Sequence, residues 1–151
     1  MEAAKYAILL PDTYKSLMLG RQAMMWSEQP QGAIDAESLE LLVEMIGPDE
    51  PAAILDLFDT YIGDSAKQVE DLRQSFAAGD LKTTYRLAHS MKSSSATFGA
   101  LTLSQYCEAL EHSARDECVD GECAQLLDRI LAEHARVIEA LTQLRSRFAE
   151  A

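Results

Sequence analysis

The segment RLAHSMKSSSATFGA, residues 86 to 100, sets one histidine among small hydroxyl residues and cations. A neutral imidazole is a good nucleophile toward a phosphoryl group and needs no metal of its own. The group it would take carries several negative charges, which nearby Lys and Arg side chains stabilise. His89 has Lys82 and Arg86 within the two helical turns before it and Lys92 within one turn after it. Ser93 lies beside it and Ala96 about one turn further on. Both are short enough to let a partner's active site approach in line.

At roughly 100° per residue around a helix axis, Leu87, Met91 and Phe98 fall opposite His89, flanked by Thr84, Ala88, Ser94 and Ser95. That face is expected to be buried, its small residues allowing close helix approach. His89 is then expected to point outward, with Lys82, Arg86, Lys92, Ser93 and Ala96 around it. The bland alternative is a solvated face, because exposed Lys, Arg and His are common.

The elements needed to hold this face are helical. Apolar residues recur at three and four, and no strand-type alternation is sustained. Asp35 caps a short helix carrying Leu39, Leu42, Val43 and Ile46, which Gly47 ends. After Pro48 and Pro51 a long helix carries Ile54, Leu57, Phe58, Tyr61, Ile62, Val69, Leu72 and Phe76. Gly79 stops it, and Asp80 caps the His89 helix, expected from about Leu81 to Phe98. After Gly99 a further helix holds Leu101, Leu103, Tyr106, Cys107 and Leu110. Residues 114 to 122 read as a polar loop. The last helix carries Leu127, Ile130, Leu131, Val137, Ile138, Leu141, Leu144 and Phe148.

Short connections favour antiparallel neighbours, so the expected fold is all-α: an up-down four-helix bundle with accessory N-terminal helices. Residues 35–151 form the bundle unit. Residues 1–34 are an extension, apolar in part and interrupted by Pro11 and Gly20, suited to packing or association more than to free disorder.

The whole chain limits the alternatives. Its 151 residues suffice for one domain with a real core, and its net charge of -12 argues against nucleic acid and anionic membranes as main partners. No stretch approaches the ~18 apolar residues of a membrane span. The N-terminus lacks the basic start and long apolar core of a signal peptide. Three cysteines, Cys107, Cys118 and Cys123, without a regular framework suggest free thiols in a reducing compartment, hence a cytoplasmic protein. A zinc site from His112, Cys118 and Cys123 matches no familiar spacing, and Cys107 is expected in the core. A di-iron bundle needs Glu three residues before its His, whereas Arg86, Ala109 and Leu131 stand before His89, His112 and His134. No Gly-rich phosphate loop is present, so the chain shows no motif for taking phosphate from ATP and no cofactor of its own is expected.

The stretch LAHSMKSSSATFGALTLSQYCEALE, residues 87 to 111, resembles histidine-containing phosphotransfer (HPt) domains. Their hallmark is Ala-His, any residue, an aliphatic residue, Lys and a small residue, matched by Ala88 through Ser93. Ser93 departs mildly, since the family usually has Gly there. The resemblance implies that His89 is the phosphoacceptor, through Nε2, and that Lys92 interacts with the phosphoryl oxygens. Glu111 falls where family members often carry Gln or Glu near the histidine. It either orients the imidazole through Nδ1 or is an ordinary solvated residue. Lys82 and Arg86, with Ser93 and Ala96, are assigned to docking on the wheel alone. The implied partners are receiver domains of response regulators, each bringing its own Mg²⁺ and aspartyl phosphate, and a histidine kinase or hybrid histidine kinase. The other function weighed is a non-catalytic helical adaptor that binds an acidic partner without phosphotransfer.

Overall fold

A computed structural model describes residues 33–47, 49–119 and 121–150. Residues 1–32 of the expected extension lie outside the described residues. Among the described residues five helices follow one another: α1 (Ala36–Ile46), α2 (Pro51–Ala77), α3 (Leu81–Thr97), α4 (Leu101–Arg115) and α5 (Cys123–Glu150). Among the described residues there is no strand. Helix α2 packs on α3 and α5, α3 on α4, and α4 on α5, closing a four-helix ring; α1 lies against α3 and α2. This is the bundle with an accessory helix that the periodicity implied.

The helix boundaries follow from local chemistry. The Asp35 carboxylate accepts from Ser38 N–H at 3.0 Å and caps α1. The Asp80 carboxylate accepts from Thr83 N–H at 3.1 Å and from the Thr83 hydroxyl at 2.6 Å, capping α3. Three-residue connections before and after α3 leave it no freedom to leave the ring. Gly99 makes the second of them with φ +79°, where a Cβ would lie 2.7 Å from the Asp35 carbonyl oxygen. Only glycine fits so tight an approach. The approach is used: Asp35 N–H donates to the Gly99 carbonyl at 2.7 Å, tying the start of α1 to the end of the His89 helix.

The core runs the length of the bundle, with Leu39, Ile54, Phe58, Leu72, Met91, Leu103, Leu110, Ile130, Leu141 and Phe148 fully enclosed. Phe98, just past α3, meets Phe58 edge-on at 5.9 Å and stacks on Tyr61 at 4.4 Å. The buried face of α3 is Thr84, Ala88, Met91 and Ser95. Its hydroxyls are satisfied, since Thr84 bonds Ser75 at 2.9 Å and Ser95 bonds the Tyr61 hydroxyl at 3.0 Å. Leu87 and Ser94 are half-buried and so lie at the margins of that face. Leu101, expected on the core stripe of α4, is 41% exposed, because Leu103, Cys107 and Leu110 take the buried face and Leu101 lies about 200° around the helix from Leu103.

The expectation of three free thiols is corrected. Cys118 and Cys123 form a disulfide across the α4–α5 connection, and only Cys107 is free, buried in the core. The chain folds back through left-handed residues at Glu117 and Cys118, bringing the two Cα atoms to 5.7 Å. The thiol argument for a reducing compartment therefore falls. The expected polar loop also begins later, since α4 continues through Arg115. Among the described residues no helix is long and apolar enough to cross a membrane.

Candidate functional site

His89 stands on the outer face of α3 with 59% of its side chain exposed. Its Nδ1 lies 2.7 Å from Glu111 Oε2 on α4. Glu111 is buried, its side chain only 6% exposed, so it is not the solvated residue that one alternative had it be. Its other oxygen, Oε1, sits 2.8 Å from the Lys92 ammonium. One carboxylate thus holds both the imidazole and the lysine, and the packing of α3 on α4 brings all three together.

The electrostatics of this triad are coherent. Burial between the helices pushes the Glu111 carboxyl up, but Lys92 and His89 outweigh it and hold the group below its ordinary value. Lys92 is raised by its bond to Glu111. Glu111 is therefore an anion at neutral pH and can only accept. The imidazole must donate Nδ1–H, which leaves the lone pair on Nε2. Ser104 of α4 adds a second tie beneath Lys92, its hydroxyl donating to the Lys92 carbonyl at 2.8 Å.

The residues assigned to docking all lie on α3. Lys82, Arg86 and Ser93 are exposed, and Ala96 is half-buried. Arg86 makes a long bond of 3.4 Å to Thr83, too weak to fix it. Around His89 the surface is therefore cationic on one side and small on the other, with Ser90 and Ser93 next along the helix. Gln68 of α2 reaches Ser90 at 3.2 Å and forms the far margin.

Two contributors escaped the sequence. Tyr85 stacks on the imidazole, with ring centroids 6.2 Å apart and planes 10° from parallel. Its spacing of four residues was a legible signal, since such residues meet on a helix surface. Ser104 carried no signal, because its bond depends on how α4 docks. Among the described residues no group of three or more His, Cys, Asp or Glu is placed to hold a metal ion.

The arrangement offers a nucleophilic nitrogen with a fixed tautomer, a neighbouring ammonium and an imidazole left exposed by the described residues.

Comparison with known proteins agrees. The family model of the Hpt domain matches residues 56–147. Among solved structures, the histidine-containing phosphotransfer protein B (HptB) of Pseudomonas aeruginosa PAO1 is similar at 31% identity, with a TM-score of 0.70. That match covers 78% of this chain and 98% of the other. No curated protein matches the chain. With an exposed histidine braced by a buried acid on a four-helix ring, and a family model spanning α3 and α4 entire and most of α2 and α5, the chain belongs to the Hpt domain family and is a phosphocarrier of phosphorelay signalling.

Proposed function

We propose that His89 is the phosphoacceptor of this phosphotransfer protein, that Lys92 attends the phosphoryl oxygens and that Glu111 orients the ring. The observation that carries this is the 2.7 Å bond from His89 Nδ1 to a buried carboxylate, on a ring that is otherwise exposed. The donor is a receiver domain carrying an aspartyl phosphate and its own Mg²⁺, or a histidine kinase. The acceptor is the aspartate of another receiver.

The Nε2 lone pair attacks phosphorus in line, the acyl–phosphate bond breaks, and the electron pair returns to the aspartate carboxylate of the donor. The ring keeps its proton on Nδ1 and becomes cationic, and the Glu111 carboxylate stabilises that charge. Lys92 lies within a turn of His89 and neutralises part of the phosphoryl charge. Lys82 and Arg86 steer the acidic face of the receiver, a contribution that weakens with salt.

The test is transfer of labelled phosphate from a panel of phosphorylated receivers to the wild type and to His89→Gln. Label on the wild type that is acid-labile, base-stable and absent from the variant supports the assignment. Equal label on both would remove His89.

A further inference from the structure

We propose that Tyr85 is a positioning residue for phosphoryl transfer: its ring holds the His89 imidazole in the plane that presents Nε2 to a donor. This rests on the phosphoacceptor role of His89 proposed above.

The geometry has two parts. Side chains on a helix lean toward its N-terminus, so the ring of His89 lies over the turn that carries Tyr85. There the two rings are 6.2 Å apart at the centroids and within 10° of parallel, inside the range of offset aromatic pairs. Glu111 restrains the imidazole at one atom, Nδ1, from the side of α4. A single hydrogen bond tolerates rocking of the ring about that contact, and the stack opposes this motion. Glu111 fixes the proton; Tyr85 fixes the plane.

Tyr85 also faces α4. It is half-buried and lines a groove of about 400 Å³ with Leu81 and Lys82 of its own helix and Ala114 and Arg115 at the end of α4. Its ring is thus seated between two helices. Its aromatic face also suits the product state, because an imidazole phosphorylated on Nε2 is a cation and a π face attracts cations.

The full chain can be tested with phosphoramidate as the probe, which needs no partner protein. The Nε2 lone pair attacks phosphorus, the P–N bond of the donor breaks with its electrons going to nitrogen, and ammonia leaves. No oxidant or reductant takes part. Labelling rate is measured for the wild type, Tyr85→Phe and Tyr85→Leu, with the His89 Nδ1–H resonance followed by NMR. Tyr85→Phe keeps the stack and should label within about 2-fold of wild type, whereas Tyr85→Leu should be about 3- to 10-fold slower. The Nδ1–H signal should broaden in Tyr85→Leu and persist in Tyr85→Phe. Circular dichroism checks that Tyr85→Leu is folded, and Tyr85→Met replaces it if it is not. Wild-type rate and an unchanged signal in the non-aromatic variant would overturn the role of Tyr85. Equal slowing in Tyr85→Phe would assign the effect to the hydroxyl and overturn it too. A wild type that takes no label, while a control histidine phosphocarrier does, would instead overturn the phosphoacceptor role itself.

Discussion

His89 and Lys92 share a single buried carboxylate: Nδ1 of the one is 2.7 Å, and Nζ of the other 2.8 Å, from the two oxygens of Glu111. The orientation of the nucleophile and the position of the nearest cation are therefore not independent. A change at Glu111 acts on both, whereas a change at Lys92 spares the imidazole bond.

Charge at Lys92 should matter more than charge at Glu111. Lys92→Glu places a second carboxylate against Glu111 and against the incoming phosphoryl group, and transfer should slow by at least about 10-fold. Glu111→Gln keeps an oxygen that can accept Nδ1–H, and the loss should stay within about 5-fold. Initial rates of labelling by one phosphorylated receiver decide the order. Equal rates for wild type and Lys92→Glu would remove Lys92 from the mechanism.

His134 should make the bundle acid-sensitive. It is buried and bonded through Nε2 to Ser65 at 2.9 Å, and burial holds its pKa below the ordinary histidine value. The unfolded chain binds a proton at that ordinary value, about 6.5, before the folded one does. Its contribution is thus complete above about pH 6.5 and is lost as pH falls through that value toward the lower folded one. Urea midpoints at pH 7.5 and 5.5 should fall farther for wild type than for His134→Gln. Parallel falls would dismiss the effect.

Glu40 works in the opposite sense. Desolvation, helped by Glu37, pushes its carboxyl up to about 8. The folded state then holds a proton that the unfolded chain has lost, so the contribution of this group is most favourable below about pH 4.5 and is lost as pH rises to 8. Glu40→Gln should raise stability at pH 8 by about 2 kcal/mol. The gain should shrink toward pH 5. A gain equal at both pH values would point to packing instead.

The disulfide should contribute measurably despite its short loop. Closing the loop from Cys118 to Cys123, a sequence separation of 5, is worth about 2 kcal/mol in the chain-entropy model. A reductant should lower the melting temperature of the wild type by several degrees and leave the Cys118→Ser, Cys123→Ser double variant unmoved. Wild type indifferent to reductant would show the bond to be energetically idle.

The sequence carried the helices well because their punctuation is chemical and local. Asp35, Asp80, Gly47, Gly79 and Gly99 each stand where the structure places a cap or a stop. The outward orientation of His89 followed from periodicity alone. What periodicity cannot supply is the angle and depth at which α4 meets α3. That docking decides whether Glu111 is solvated or buried against His89, and it alone brings Ser104 to Lys92. The disulfide was missed for a related reason. A spacing of five residues does not reveal a turn through two left-handed non-glycine positions, Glu117 and Cys118.

His89, the proposed phosphoacceptor, stands exposed on the outer face of α3. On that reading a donor and an acceptor would each have to cover the same few residues around it, and could not do so together. Phosphate flow would then be a relay run in turns. The donor would depart before the acceptor arrives, and the phosphorylated histidine would have to outlast the interval between the two visits. Its lifetime in solution, not only the speed of either transfer, would set how far a signal can travel from one partner to the next.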